Sequence, residues 1–275
     1  MTPNKPFFKS AIQTLWADGL YEQAKSMERD AKKAGSNVGS CYTEEILEKF
    51  ITQHPSMHEL KNQVRILEQY NDPVLIQGPT GTGKELLAKA LHGSREGKFI
   101  AVNCPAISGD LLCSEFFGHV KGAFTGAVSD RIGKFQAAAK GTLFIDEIGD
   151  MSHDMQAALL RVLQEKVITR VGANEEIPVD CRIVAATNKD LLNMSEKGEF
   201  RLDLLCRLNI FELQTLPLAM RPEDIKLIIE HWESLESIKR FTGPFPYEQI
   251  KDRLFNGNVR ELWRLYRRWK VLGAI

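Results

Sequence analysis

The stretch Gly78-Pro-Thr-Gly-Thr-Gly83-Lys84-Glu85 places three glycines, two threonines and a lysine within eight residues. Glycines let successive backbone N–H groups converge on one point, and the lysine adds a compact cation, which together make a cradle for phosphate oxygens. The hydroxyl residue that commonly follows the lysine, as a metal ligand, is Glu85 here. Alone, the stretch would also serve as a glycine-rich turn ahead of a helix. Further on, Thr142-Leu-Phe-Ile-Asp146-Glu147 is an apolar run ending in two adjacent carboxylates. Asp146 can hold Mg²⁺ through water while Glu147 orients an attacking water. Seen alone, the pair would also fit two solvated acids at a strand end. Together the two motifs point to ATP hydrolysis, with ATP and Mg²⁺ as cofactors. Gly78, Pro79, Thr80, Gly81, Thr82, Gly83, Lys84 and Glu85 are then the nucleotide-binding segment.

These groups need a scaffold that delivers them to one edge. Short apolar runs at 74–76, 99–102, 143–145 and 183–186 predict buried parallel strands with crossover helices, and a helix is predicted over 86–92, directly after the cradle. Upstream, Ser56-Met-His-Glu59 has capping-box spacing, and Met57, Leu60, Val64 and Leu67 form one stripe of a helix ending before Asn71-Asp72-Pro73. Pro222-Glu-Asp opens a zone with only helical patterns to Ile275. The opening residues read as short helices through Phe7, Phe8, Ile12 and Leu15, then Tyr21 to Ala34, closed by a Gly/Ser linker over 35–40. Gly19, Tyr21, Ala24 and Ala31 faintly resemble the turn of one tetratricopeptide helix pair. A single pair cannot bury its own face, so a helical hairpin packed on the main body is expected. The chain divides into a helical extension (1–55), an α/β ATPase subdomain (56–217) and a small all-α lid (218–275).

Between the second strand and the acidic strand lies Glu115-Phe-Phe-Gly-His119-Val-Lys-Gly122-Ala-Phe-Thr-Gly-Ala127. Glycines and small residues around Phe124 and Thr125 preclude a regular helix and put an aromatic ring at a loop tip, where a partner must cover it. The run Gly122, Ala123, Phe124, Thr125, Gly126, Ala127 resembles the GAFTGA signature of the bacterial enhancer-binding activators. These are AAA+ ATPases that remodel RNA polymerase carrying sigma-54. The resemblance spans roughly 55–265 and implies an AAA+ P-loop fold with a five-stranded parallel sheet and a lid. It further implies that Phe124 and Thr125 contact sigma-54 while Gly122 and Gly126 permit the loop to move. In this family Glu after the P-loop lysine is characteristic, which accounts for Glu85. Asn103 matches the asparagine that restrains the Walker B glutamate, here Glu147. Ala186-Thr187-Asn188 resembles sensor I, Arg201 and Arg207 match the arginine fingers that reach a neighbour's ATP, and Arg260 in Gly257-Asn258-Val-Arg-Glu-Leu262 is similar to sensor II. Fingers supplied in trans imply a ring, a hexamer in the family.

Some positions depart from the family pattern. Val120 stands where an acid is usual, Gln136 replaces a glutamate, Lys140-Gly141 replaces Gly-Gly, and the segment Leu216 to Arg221 is one residue shorter than the usual link to the lid. None is a proposed catalytic group; subunit or loop communication is what they would alter. The family's usual amino-terminal regulatory domain and carboxyl-terminal helix-turn-helix are not read within these 275 residues, as expected either of a piece of a longer protein or of a compact activator working from solution or through a DNA-binding partner.

The balance of 36 basic and 36 acidic residues lacks the global attraction to polyanions of a dedicated nucleic-acid coat or membrane-surface protein. The basic residues of the last helix, Arg260, Arg264, Arg267, Arg268 and Lys270, are interleaved with Leu262, Trp263, Leu265, Tyr266 and Trp269 and read as a solvated face, with contact to phosphates as the alternative. Promoter DNA would be reached indirectly or through a separate element. The five cysteines contain no CxxC pair and read as reduced thiols. With no apolar run of about 18 residues and no apolar leader, a cytoplasmic protein off the membrane is expected. The leading expectation is an activator that opens sigma-54 promoters by hydrolysing ATP. Alternatives are an ATP-dependent assembly module without productive remodelling, or a protein that sequesters sigma-54.

Overall fold

The computed structural model describes residues 41–106, 109–235, 245–250 and 253–273. The helices expected over 1–40, with the Gly19 to Ala31 pattern, lie outside the described residues. The strands among the described residues are β1 (Val74–Gln77), β2 (Phe99–Asn103), β3 (Gly118–His119), β4 (Arg131–Ile132), β5 (Thr142–Asp146), β6 (Val167–Thr169), β7 (Glu176–Pro178), β8 (Arg182–Thr187) and β9 (Phe211–Gln214). Five of them form a parallel sheet in the order β2-β5-β8-β1-β9. The four strands anticipated from apolar runs are all present, each extended by one or two residues. The fifth strand that the resemblance implied is β9, which the apolar runs had not located.

Alternation within the strands sends side chains to two cores, because successive residues point to opposite sheet faces. Leu75, Val102, Leu143, Ile145, Ile183 and Ala185 face one side, where Phe116, Phe135, Leu159, Phe200 and Leu204 pack. Val74, Ile76, Phe144, Val184, Phe211 and Leu213 face the other, against helices Cys41–Glu48, Pro55–Leu67 and Lys84–His92. Coverage of both faces explains why the central strands read as unbroken apolar runs. Helix Cys41–Glu48 belongs to this second layer: Ile46 and Leu47 are buried in it and the Thr43 hydroxyl donates to Ala90 O at 3.0 Å.

Helix Pro55–Leu67 starts differently from the capping-box expectation. Its N-cap is His54, whose Nδ1 accepts from Ser56 N at 3.3 Å, and Pro55 is the first helical residue. Proline has a preset φ and no N–H to satisfy, so it favours the first turn and moves the cap upstream of Ser56. At the foot of β8 the buried Arg182 donates to Leu67 O and Leu91 O at 2.7 Å each, the carbonyl ends of two helices. Helix C-termini are electronegative, so this cation ties two helices to the sheet through their carbonyls. Burial pushes the Arg182 pKa down to about 9.

A third core, formed by Leu218, Ile225, Ile228, Leu262, Tyr266 and Trp269 with their neighbours, holds helices Glu223–Leu235 and Asn258–Leu272 together as a helical lid. The helix start expected at Pro222-Glu-Asp is observed at Glu223. No helix among the described residues is long and apolar enough to cross a membrane.

Candidate functional site

The glycine-rich loop runs from the end of β1 into helix Lys84–His92. Gly78 N donates to Thr187 O at 3.1 Å, fastening the loop to β8. A Cβ at Gly78 would collide with the Thr215 hydroxyl, and one at Gly81 with Gly257 O of the lid. Lys84, the first residue of the helix, is buried and donates through Nζ to Gly78 O at 2.8 Å and Pro79 O at 3.2 Å. Burial lowers its pKa while Glu147 and Asp146 oppose the shift. Thr82 is buried, its hydroxyl shared with Pro79 O and Thr215 Oγ1, so it serves the loop's shape. Glu85 is exposed, pairs with Lys89 at 2.7 Å along the helix and lines the same cavity as Lys84.

Asp146 closes β5, in register with Asn103 of β2. Burial raises its carboxyl pKa, while the Glu147 N–H at 3.1 Å and Lys84 pull the other way. Glu147 follows with φ +51°, a left-handed conformation unusual for a residue with a Cβ. That turn cancels the strand's alternation and brings both acids to one cavity wall. The Glu147 carboxylate accepts from Asn188 N at 3.3 Å, and Asn188 Nδ2 donates to Thr80 Oγ1 at 3.0 Å. Asn188 thus joins the acid to the phosphate loop. Thr187, the neighbouring candidate, is buried and accepts from Lys189 N. The restraint expected from Asn103 on Glu147 is not made here: Asn103 is exposed at the end of β2 and no hydrogen bond joins the two, the carboxylate being turned toward β8.

The lid meets the loop directly. Asn258, at φ +50°, donates through Nδ2 to Thr80 O at 2.9 Å and accepts from Leu218 N at 2.7 Å. Val259 N donates to Gly81 O at 3.1 Å. Between loop and lid lies a cavity of about 450 Å³, with Thr80 to Leu86, Asp146 and Glu147 on one side and Arg260 on the lid side. Pattern reading missed its other walls: Phe50, Ile51, Arg221, Ile228, Trp232 and Trp263. Phe50 packs beneath Gly83, and the Arg221 guanidinium lies 5.6 Å over its ring. Arg221 is buried, pairs with Asp224 at 3.2 Å and donates to Thr82 O at 3.3 Å, while Asp224 also accepts from the Thr52 hydroxyl at 2.7 Å. The only available signal for these residues was the Arg-Pro-Glu-Asp helix start, since the groups come from three distant segments.

Two further sets of predicted residues stand apart from this cavity. Arg201 is the N-cap of helix Leu202–Leu208, exposed and paired with Asp203 at 2.7 Å; Arg207 is exposed in the last turn of the same helix. Neither lines its own chain's cavity. The segment Gly122 to Ala127 forms turns between β3 and β4, closed by Gly122 N to Ala127 O at 2.8 Å. Phe124 and Thr125 are exposed, and the Phe124 ring meets His119 edge-on at 5.0 Å. His119 is buried and bonded to Ser114 Oγ at 2.7 Å. The β6–β7 hairpin supports the segment through Val120 N to Val171 O at 3.1 Å.

The model of the sigma-54 interaction domain matches residues 50–214, more than half of the chain. The chain belongs to the sigma-54 interaction domain family. Among curated relatives, the transcriptional regulatory protein GlrR of Escherichia coli (strain K12) is 47% identical over 266 residues, covering 94% of this chain and 56% of GlrR. The DNA-binding transcriptional activator HyfR of the same organism is 45% identical over 230 residues, covering 81% of this chain and 34% of HyfR. The chain therefore spans about half or less of the length of these curated relatives.

Solved structures agree. NtrX from Brucella abortus superposes with a TM-score of 0.73 at 30% identity, covering 94% of this chain and 57% of that one, and NtrX in complex with ATP gives the same score at 29% identity. The fold is that of the AAA+ ATPase domain of the sigma-54 activators. The sigma-54 interaction domain match closes at Gln214, the last residue of β9, so the lid with Arg260 and both cavity tryptophans lies beyond it.

Proposed function

We propose that this chain hydrolyses ATP in the cavity between the phosphate loop and the lid, and uses the cycle to move the Gly122 to Ala127 loop against sigma-54 RNA polymerase, promoting open-complex formation. The observation that carries the reading is the convergence of Lys84, Asp146, Glu147 and Arg260 on one cavity, with the Phe124 loop projecting separately. The loop amides and Lys84 hold the phosphates, and Glu147 orients and deprotonates the attacking water. Asn188, bonded to both Glu147 and Thr80, is placed to sense the terminal phosphate. Mg²⁺, when bound, neutralises phosphate charge. The carboxylates at the cavity suit it, since Mg²⁺ is ordinarily held by one or two carboxylates, phosphates and water. Asp146 would hold it through water.

Arg201 and Arg207, exposed and off the cavity, fit fingers that complete a neighbour's site in a hexameric ring. DNA is contacted indirectly or through a separate element, and the setting is cytoplasmic. The working divisions are 1–55, 56–217 and 218–275. Open-complex formation on a sigma-54 promoter tests the proposal: activity is expected with ATP and lost in Lys84→Ala and Phe124→Ala. Full activity in Phe124→Ala would sink the loop's role. Specific ATPase activity that stays constant on dilution to monomer would remove the shared site.

A further inference from the structure

The cavity lining is of two chemical kinds. The phosphate loop, Lys84, Asp146 and Glu147, with Lys49, Arg221 and Arg260, are polar; Phe50 beneath Gly83, and Ile51, Ile228, Trp232, Val259 and Trp263, are apolar. A nucleoside triphosphate has the same polarity, anionic at one end and a flat aromatic base at the other. We infer that Trp232 and Trp263 of the lid form the wall that receives the base, so that base stacking on these two side chains draws the lid onto the nucleotide. The inference rests on the proposed ATP site and names the residues that read its base.

The ring geometry supports it. The two indoles meet edge to face, centroids 4.8 Å apart and planes at 72°, making an L-shaped corner within the cavity wall. Trp263 keeps 40% of its surface exposed, unusual for so large an apolar side chain. The Arg267 guanidinium sits 5.5 Å from the Trp263 ring and Tyr266 stacks at 5.8 Å, so the indole is held from behind. Trp232 also contacts Tyr266 at 5.4 Å. A fixed indole with an open surface stacks on a base at little entropic cost, because its rotamer is already selected. Both tryptophans sit on lid helices, on the same helix as Arg260 or the one packed against it. Base and phosphate contacts therefore act on one body.

Isothermal titration of the full chain with ATP and with inorganic tripolyphosphate separates the two ends. Trp263→Ala is expected to weaken ATP roughly tenfold or more, the ordinary effect of removing one stacking partner, and to leave tripolyphosphate within about twofold. Trp263→Phe, which keeps an aromatic face and guards against a folding defect, is expected to recover most of the loss. Intrinsic fluorescence gives a second readout. ATP is expected to change the tryptophan signal, with a smaller change in Trp232→Phe. Unaltered ATP affinity in both Trp263→Ala and Trp232→Leu overturns the assignment while leaving ATP binding intact. Equal weakening of ATP and tripolyphosphate also overturns it, because the effect would then lie at the phosphates. If the unmodified chain binds neither ligand, the underlying nucleotide site fails as well.

Discussion

The phosphate loop and the Gly122 to Ala127 loop are both glycine-rich, and both hold glycines at positive φ, yet their glycines answer to different constraints. A side chain at Gly78 or Gly81 would strike Thr215 or the lid backbone, whereas a Cβ at Gly122 or Gly126 meets nothing within 4 Å. The first loop is locked from outside by packing and hydrogen bonds. The second is held at its base by the β6–β7 hairpin and His119, while its two glycines face open space. Under the proposed function a phosphate cradle would be pre-formed while a contact loop would change position, and each glycine set suits that proposed task.

The largest test of this contrast is Gly78→Ala. Backbone strain and steric overlap together should cost roughly 3 kcal/mol or more, lowering the melting temperature by several degrees and abolishing ATP binding by calorimetry. Next is Asn258→Ala, which removes the side-chain bonds to Thr80 O and Leu218 N and leaves alanine at positive φ. About 2–3 kcal/mol of destabilisation by urea unfolding is expected, with weaker ATP binding, since the lid loses its hold on the loop. Third, Gly122→Ala and Gly126→Ala should each cost only about 1–2 kcal/mol, from the left-handed backbone alone, and keep ATP affinity while losing promoter opening. A melting-temperature drop in either equal to that of Gly78→Ala would erase the distinction between the loops.

Much of the scaffold was readable from the chain. Fully buried strands such as β8 are unbroken apolar runs, and the loop and acid motifs lie on contiguous residues. Strand β9 escaped because Phe211-Glu-Leu-Gln alternates over only four residues. The wall of Phe50, Trp232 and Trp263 escaped for a different reason: it is assembled from remote segments, and in sequence Trp263 is one more apolar residue on an amphipathic helix. Glu147 was legible as an acid but not as a left-handed residue, since that conformation is imposed by the sheet's edge.

The smallest effect concerns the rigid end. His92, the last residue of the phosphate-loop helix, is buried against the Thr142 hydroxyl at 3.0 Å, and burial, with Arg95 and Arg182, holds its pKa below the usual histidine value. The unfolded chain takes up this proton below about pH 6.5 while the folded chain resists it. Stability from neutral His92 is therefore present above that pH and is lost as pH falls toward the depressed folded value. Melting temperature should decline on acidification, with a shallower slope in His92→Gln. The Phe124 loop, which has no contact with His92, should show no such dependence in its own proteolysis rate.

Thr80 has its hydroxyl bound by Asn188 and its carbonyl bound by Asn258, so one peptide is gripped from the catalytic side and from the lid side at once. Under the proposed function, a shift of Thr80 would load both bonds, so chemistry and lid release would be coupled through a single residue. A Thr80→Val chain keeps the lid's grip and loses the other, and in it the two events would run independently.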